Sequence, residues 1–133
     1  MGNAELEKNT QLNVQFAKRG GLVPVIVQDV DSMEILMLGY ANEKAFEETL
    51  KTNKATFWST SRKEIWTKGK TSGDFLEVQE ILIDCDQDAL IYKVKKIGLG
   101  ACHTKNSNGE TRPSCFYRKL DENKELSFLK GQE

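Results

Sequence analysis

The sequence predicts a single strand-rich α+β domain with few helices. Its 133 residues fit one domain, and a hydrophobic fraction of 38% is enough for one apolar core. Short β-branched and aromatic runs, bounded by Gly, Asn, Asp and Ser, predict more strands than helices. The 19 basic residues nearly balance the 20 acidic ones, so the chain lacks the positive field on which nucleic-acid and anionic-membrane binders depend. We therefore expect neither a nucleic acid nor a membrane as its partner.

The N-terminal part of the chain predicts a helix followed by a β-hairpin. Residues 4–18 carry apolar side chains at imperfect helical spacing, and Gly20 and Gly21 would end that helix. The apolar runs at 22–30 and 35–40 flank an Asp-Ser turn. Two such runs joined by a short turn indicate a pair of antiparallel strands.

The remainder predicts one further helix, several strands and a long loop. Asn42 is a favourable N-cap for a helix that ends near Asn53, because its side chain can accept a bond from a free amide of the first turn. Residues 98–113, rich in Gly, Asn, Thr and Ser, predict the loop. The strands are predicted at residues 55–60, 65–68, 75–84, 89–97 and 114–120. The chain is then divided into a helical extension at 1–19, one domain at 20–120 and a polar tail at 121–133.

Three aspartates, Asp84, Asp86 and Asp88, alternate along the chain around Cys85. If this segment is an extended strand, the three carboxylates share one side, because side chains alternate across a strand. Carboxylates held together repel each other unless a cation lies among them, and hard oxygen ligands favour Mg²⁺ or Ca²⁺. An acidic hairpin turn explains the same spacing, so both interpretations stay open.

Three cysteines and the single histidine form a second candidate site. Cys85, Cys102 and Cys115 lie 17 and 13 residues apart, without a Cys-x-x-Cys pair. Three thiolates can bind Zn²⁺ and leave a fourth position for water, which is the arrangement of catalytic zinc. His103 could be a further ligand or carry a proton near neutral pH. Spacing alone favours the alternative, in which the free cysteines pack as small buried hydrophobes.

A basic segment at residues 62–73 is the third candidate site. Its cationic, hydroxyl and glycine-flanked amide groups are of the kinds that bind phosphate, and its tryptophan could stack on a base. The candidate residues for substrate binding are Arg62, Trp66, Lys68 and Ser72. A hairpin with solvated lysines and a tryptophan packed in the core explains the pattern about as well.

Together these segments resemble one enzyme family, the phosphoribosyl-AMP cyclohydrolases. Seven motifs occur in the order found in that family, namely GLVPVIVQD, ILMLGYANEKAF, ATFWSTSR, IWTKGKTSG, LIDCDQDALIYKV, GACHT and SCFYR. They span about residues 20–118. The chain departs from the family pattern at Asp74 and Leu76, and in the segment between Cys102 and Cys115, which is longer than usual.

The resemblance implies that zinc-activated water hydrolyses the N1–C6 bond in the adenine ring of 1-(5-phosphoribosyl)-AMP, a step of histidine biosynthesis. The product would be the formimino-aminoimidazole carboxamide ribonucleotide. The resemblance also implies an obligate homodimer whose zinc site is shared between the subunits. His103 is the candidate for proton transfer. The implied ligands are Cys85, Cys102 and Cys115 for zinc, and Asp84, Asp86 and Asp88 for magnesium.

Two other functions stay open from the sequence. One is a zinc-dependent hydrolase or deaminase of another purine nucleotide, although the deaminase signature His-x-Glu with Pro-Cys-x-x-Cys is absent. The other is a non-catalytic nucleotide-binding dimer clamped by zinc, in which the metal would have a closed set of protein ligands. The polar N-terminus and the odd number of cysteines lead us to expect a cytoplasmic protein with reduced thiols.

Overall fold

The computed structural model describes residues 3–133 of the chain. Within that range there are two α-helices and eight strands, which confirms the predicted strand-rich fold with few helices. No helix in the described range is long and apolar enough to cross a membrane. The elements are α1 (Asn3–Lys8), a 3₁₀ turn (Phe16–Arg19), β1 (Val23–Asp29), β2 (Ile35–Ala41), α2 (Glu43–Thr52), β3 (Thr56–Ser59), β4 (Glu64–Thr67), β5 (Leu76–Ile83), β6 (Leu90–Lys96), β7 (Arg118–Leu120) and β8 (Leu126–Phe128).

A four-stranded sheet with the order β2-β1-β6-β5 forms the centre of the fold. The hairpins β1–β2 and β5–β6 are antiparallel, and they meet where β1 pairs in parallel with β6. The segment between the hairpins supplies the crossover that a parallel pair requires, and it contains α2 and the separate β3–β4 ribbon. The predicted hairpins around Asp31 and Asp86 are therefore confirmed.

One face of the two central strands forms the hydrophobic core. Every second residue of β1 is buried, and so is every second residue at the start of β6, as expected when side chains alternate across a sheet. Ala45 and Phe46 of α2 and Phe57 of β3 cover this face. The buried strand residues are Val23, Val25, Val27, Leu90, Tyr92 and Val94.

The α2 helix begins and ends where the sequence predicts. The side chain of Asn42 accepts a hydrogen bond of 2.8 Å from the backbone amide of Ala45, and Asn53 adopts the left-handed conformation that ends the helix. The Thr49 hydroxyl accepts a bond of 3.0 Å from the Thr56 amide, which fixes α2 against β3. The helix thus holds β3 and β4 over the core.

The predicted helix at residues 4–18 is wrong over most of its length. Helix α1 ends at Lys8, and only the 3₁₀ turn follows before β1. The apolar spacing in this segment is irregular, and its asparagines and threonine favour caps and turns over helix interiors. Long-range hydrogen bonds to Gln87 take the place of the helix. The Gln87 side-chain oxygen accepts a bond of 2.7 Å from the Asn13 amide, and its backbone oxygen accepts one of 2.8 Å from the Gln15 amide.

The C-terminal segment is more ordered than the predicted polar tail. The strand predicted at 114–120 is reduced to β7, and β8 pairs with it in an antiparallel hairpin. The rings of Tyr117 and Phe128 stack with centroids 6.1 Å apart. This ring stack and the backbone pairing hold the short hairpin, whose apolar side chains Leu120, Leu126 and Phe128 stay largely exposed.

Asp29 stabilises the turn between β1 and β2. Its carboxylate accepts hydrogen bonds from the amides of Asp31 at 2.9 Å and Ser32 at 3.0 Å, and it lies 3.6 Å from the Lys96 ammonium. Burial of the carboxyl opposes ionisation, but the two amides and then Lys96 outweigh it. The pKa of Asp29 is consequently below its ordinary value.

We expect Asp29→Asn to lower the free energy of unfolding at pH 7. Because the folded-state pKa is below the unfolded value of about 3.9, the carboxylate stabilises the fold above that pH, and the effect is lost as the pH falls through the folded-state pKa. Urea unfolding at pH 7 and in steps below pH 4 measures it, with Asp31→Asn as the exposed control. A deficit that stays constant down to the lowest pH would contradict the prediction.

Candidate functional site

The acidic triplet lies in the turn between β5 and β6. Carboxylate oxygens of Asp84, Asp86 and Asp88 lie within 4.8 Å of one another. The turn is held by Asp84, which accepts bonds from the amides of Asp88 at 2.9 Å and Ala89 at 3.1 Å. Gln87 has a positive φ of 56°. The extended strand considered from the sequence is therefore wrong, and a tight turn brings the carboxylates together instead.

Lys18 neutralises part of this acidic turn. Its ammonium lies 2.8 Å from an Asp88 oxygen and 3.0 Å from an Asp86 oxygen, and Arg19 lies 3.4 Å from Asp88. The hydrogen bond from Lys18 is the main cause that holds the pKa of Asp88 at about 2. Burial instead raises the pKa of Asp84. The sequence analysis missed Lys18 because 68 residues separate it from Asp86.

The donor set of the turn fits a hard divalent cation. It offers carboxylate oxygens from three residues within the span of a single ion, and no other group of three or more Asp, Glu, His or Cys side chains in residues 3–133 comes together in this way. The amides of Asp88 and Ala89 orient the Asp84 carboxylate. Such hydrogen bonds to a ligating carboxylate commonly fix its position.

Cys102 and Cys115 are brought together by the long loop after β6. The loop folds back on itself, with a hydrogen bond of 2.9 Å from the Ala101 amide to the Pro113 oxygen. The Cys115 amide donates to the Leu36 oxygen at 2.7 Å, which anchors the second thiol beside β2. Partial burial of the sulfur in a residue that is otherwise exposed, and then the neighbouring Cys102 thiol, raise the pKa of Cys115 to about 11, while the charge of Lys68 acts in the opposite direction.

Cys85 lies at the other end of the β5–β6 hairpin. Leu76 pairs with Lys96 at the end that leads to Cys102, whereas Ile83 pairs with Leu90 at the acidic turn. Seven residues of strand separate those ends, or about 20 Å at 3.3 Å per residue. Zinc–sulfur bonds are about 2.3 Å long, so sulfurs on one ion must lie within about 4 Å of each other. The three sulfurs do not come together among residues 3–133, so one chain does not bring all of them to a single ion.

His103 is exposed beside the buried Cys102. It directly follows Cys102 in the loop between the two thiols. Its position suits a residue that exchanges protons with a bound molecule, because the side chain is accessible and not packed in the core.

The four basic-segment candidates line one cleft. It has a volume of about 480 Å³ and is formed by β4, the turn before it and the loop after it, with Arg62, Trp66, Lys68 and Ser72 in its wall. Trp66 also packs on Phe57, with ring centroids 5.3 Å apart, so the core fixes its ring. Arg62 lies 3.8 Å from Glu64 in an exposed and weak ion pair.

Two of the three departures from the family pattern, Asp74 and Leu76, have structural roles. Leu76 is 1% exposed and belongs to the core. Asp74 accepts a hydrogen bond of 2.9 Å from the Leu99 amide, and so fixes the start of the loop that carries Cys102. Gly98 packs directly against Asp74, where a β-carbon would collide with it. These residues shape the loop rather than line the basic cleft.

Comparisons with known proteins agree with the motifs. The family profile for phosphoribosyl-AMP cyclohydrolase matches residues 37–117. The phosphoribosyl-AMP cyclohydrolase of Archaeoglobus fulgidus is 53% identical over 110 residues, which are 83% of this chain and 94% of that protein. The one from Desulfatibacillum aliphaticivorans is 45% identical over 113 residues, 85% of this chain and 86% of that protein.

A bifunctional histidine biosynthesis protein of Thermus thermophilus is 51% identical over 120 residues, which are 90% of this chain and 52% of that protein. The residues matched by the family profile, 37–117, include α2, the β5–β6 hairpin with its acidic turn, and the whole basic segment. The chain therefore belongs to the phosphoribosyl-AMP cyclohydrolase family of enzymes.

Proposed function

We propose that this enzyme opens the adenine ring of 1-(5-phosphoribosyl)-AMP in histidine biosynthesis. Water adds at C6, the N1–C6 bond breaks, and N1 takes a proton, which leaves a carboxamide and a formamidine. The observation that carries the proposal is that the residues matching the phosphoribosyl-AMP cyclohydrolase family, 37–117, include the basic cleft, the acidic turn and both loop thiols. Lys68 lines the cleft, and its charge acts on the Cys115 thiol. A phosphate bound in the cleft would hold the purine near those thiols.

The substrate supplies an electrophile, and the reaction needs a nucleophile at neutral pH. Alkylation at N1 puts positive charge into the purine ring, which makes C6 electron-poor. Zinc held by Cys85, Cys102 and Cys115 would lower the pKa of water from 15.7 to about 7 and so supply that nucleophile. The free thiols of this chain suit such an ion, because three thiolates leave one position for water.

His103 is proposed to move the proton in this reaction. The added water loses a proton and N1 gains one as the ring opens, so a group that both accepts and donates near pH 7 is required. Imidazole has that property. His103 is exposed and adjoins Cys102, which favours it for this role.

We propose that the zinc ligands come from two copies of the chain in an obligate homodimer. Cys85 lies at the acidic turn and does not come together with the other two sulfurs among the residues that the structure describes, so a second copy would complete the ligand set. Cys85 and Cys115 are both exposed, so ligands from a second copy can reach them. Leu82 and Ile83 next to Cys85 are 39% and 37% exposed, which suits a surface covered by a partner.

The remaining candidates are proposed to bind and orient the nucleotide. Magnesium on Asp84, Asp86 and Asp88 would contact phosphate or hydroxyl oxygens. Arg62, Lys68 and Ser72 would donate to phosphate, and Trp66 would stack on the base. We also propose a cytoplasmic location, because zinc-binding cysteines have to stay reduced.

The proposed function is tested by mixing two inactive variants. We expect Cys85→Ser and Cys115→Ser each to abolish ring opening of phosphoribosyl-AMP, followed by ultraviolet absorbance. If each site takes Cys85 from one subunit and Cys115 from the other, random exchange of subunits makes about half of the dimers hybrids of the two variants. Each hybrid then has one site in which both cysteines are present. The mixture should therefore recover about a quarter of the wild-type rate.

Two controls make this experiment decisive. Mixing Cys102→Ser with Cys115→Ser should recover nothing, because both thiols belong to the same half of the site. A chelator should remove the wild-type activity and added zinc should restore it. Wild-type protein without turnover of phosphoribosyl-AMP would contradict the function, and equal recovery in both mixtures would contradict the shared site.

We expect His103→Ala to lower turnover about 100-fold or more and to leave the zinc content unchanged, because proton transfer by a positioned side chain is worth about 10² to 10⁴ in rate. Steady-state kinetics and metal analysis of the same preparation measure the two quantities. Lys105→Ala, an exposed residue of the same loop, is the control. Wild-type turnover in His103→Ala would exclude the proposed role.

We expect Lys18→Met to tighten Mg²⁺ binding by about tenfold, because its ammonium and a divalent ion compete for the same carboxylate oxygens. Isothermal titration with Mg²⁺ measures the dissociation constant. Lys44→Met removes the same charge from an exposed position on α2 and should have little effect. Weaker Mg²⁺ binding in Lys18→Met than in Lys44→Met would show that Lys18 does not compete with the ion.

A further inference from the structure

Arg112 is a buried arginine without a carboxylate partner in residues 3–133. It lies in the loop between the two thiols and is 8% exposed. Its guanidinium packs over the Tyr117 ring, 4.0 Å from the centroid, and its Nε donates to the Gln132 backbone oxygen at 3.0 Å. A buried charge is costly unless its hydrogen bonds are satisfied, so these contacts define one position for the guanidinium.

Arg112 also reaches Cys102 through one intervening side chain. Its Nη1 donates to the Thr104 hydroxyl oxygen at 3.1 Å, and that oxygen lies 2.8 Å from the Cys102 sulfur. A guanidinium can only donate, so the hydroxyl oxygen accepts from Arg112 and its hydrogen is available for the sulfur. The Thr104 amide lies 3.4 Å from the same sulfur and donates to it as well.

The C-terminal segment holds Arg112 from outside the loop. The Gln132 oxygen and the Phe128 ring, whose centroid is 5.5 Å from the guanidinium, both belong to this segment. The Ser107 amide of the loop donates to the Glu133 oxygen at 2.6 Å. The β7–β8 hairpin and the residues after it therefore pack on the loop between the two thiols.

We propose that Arg112 is a positioning residue that orients the Cys102 sulfur for zinc through Thr104. This inference rests on the proposed function, in which Cys102 is a zinc ligand. Two donors directed at the sulfur fix its direction, and Arg112 sets the orientation of the hydroxyl donor. Hydrogen bonds of this kind beyond the ligands typically contribute 10- to 100-fold to metal affinity.

The test is the zinc affinity of the purified full chain, measured by competition with a chromophoric chelator. Thr104→Val keeps the side-chain shape and removes the hydroxyl, and Arg112→Lys keeps the charge and removes the planar donor pair. We expect each to weaken zinc binding about 10- to 100-fold and to alter the visible spectrum of the cobalt-substituted protein. Thr104→Ser should restore near-wild-type affinity.

Arg118→Ala is the matched control. Arg118 also lies over the Tyr117 ring, 5.1 Å from its centroid. The guanidinium that donates a hydrogen bond to Thr104 is that of Arg112. We expect Arg118→Ala to leave zinc affinity within about twofold of the wild type. The double variant Thr104→Val with Arg112→Lys should lose no more affinity than the worse single variant, because the two residues act in series.

Each outcome distinguishes the inference from the function it rests on. If the wild type binds zinc and Thr104→Val binds it equally well, the positioning role is overturned and the proposed function stands. Fully additive losses in the double variant would overturn the action of Arg112 through Thr104. A wild type that binds no zinc would overturn the proposed zinc site and this inference together.

Discussion

The register of the β5–β6 hairpin is the constraint on which the site depends. Pairing from Leu76 with Lys96 to Ile83 with Leu90 fixes the acidic turn at one end and directs the loop that carries Cys102 to the other. A slip by one residue would exchange the buried and exposed faces of β6, so the core of Leu90, Tyr92 and Val94 enforces the register. The separation of the two candidate metal sites within a chain thus follows from hydrophobic packing.

The acidic turn is stabilised by charge balance, whereas the loop with the two thiols is held by hydrogen bonds and ring contacts of a buried arginine. The acidic turn gathers three carboxylates and offsets their repulsion with Lys18, which comes from the segment before β1. The thiol end buries Arg112 without a carboxylate partner in the described chain and satisfies it with oxygens and aromatic rings. In both cases a residue outside the recognisable motif holds the motif residues in position.

Local signals allowed much of the fold to be predicted. The Asn42 cap, the Asn53 stop and the two hairpins depend on near neighbours in sequence, so the pattern reveals them. Two of the failures depend on distant contacts, because Gln87 holds residues 13 and 15 out of a helix and Lys18 reaches Asp86 across 68 residues. The acidic turn and the β7–β8 hairpin are local, but alternating aspartates and a short polar segment do not distinguish a turn or hairpin from the alternatives. The sequence identified the candidate site residues by type, but not which of them meet in one chain.

The parallel pairing of β1 with β6 also has a consequence for the order of folding. Val25 meets Leu90, so the central sheet cannot close until the ribosome has released most of the chain. Cys102 and Cys115 are translated after β6. These two thiols leave the ribosome after all four strands of the central sheet, so the nascent chain can assemble that sheet before either thiol is exposed to oxidants or adventitious metal ions. Cys85 is exposed to them earlier, because it precedes β6.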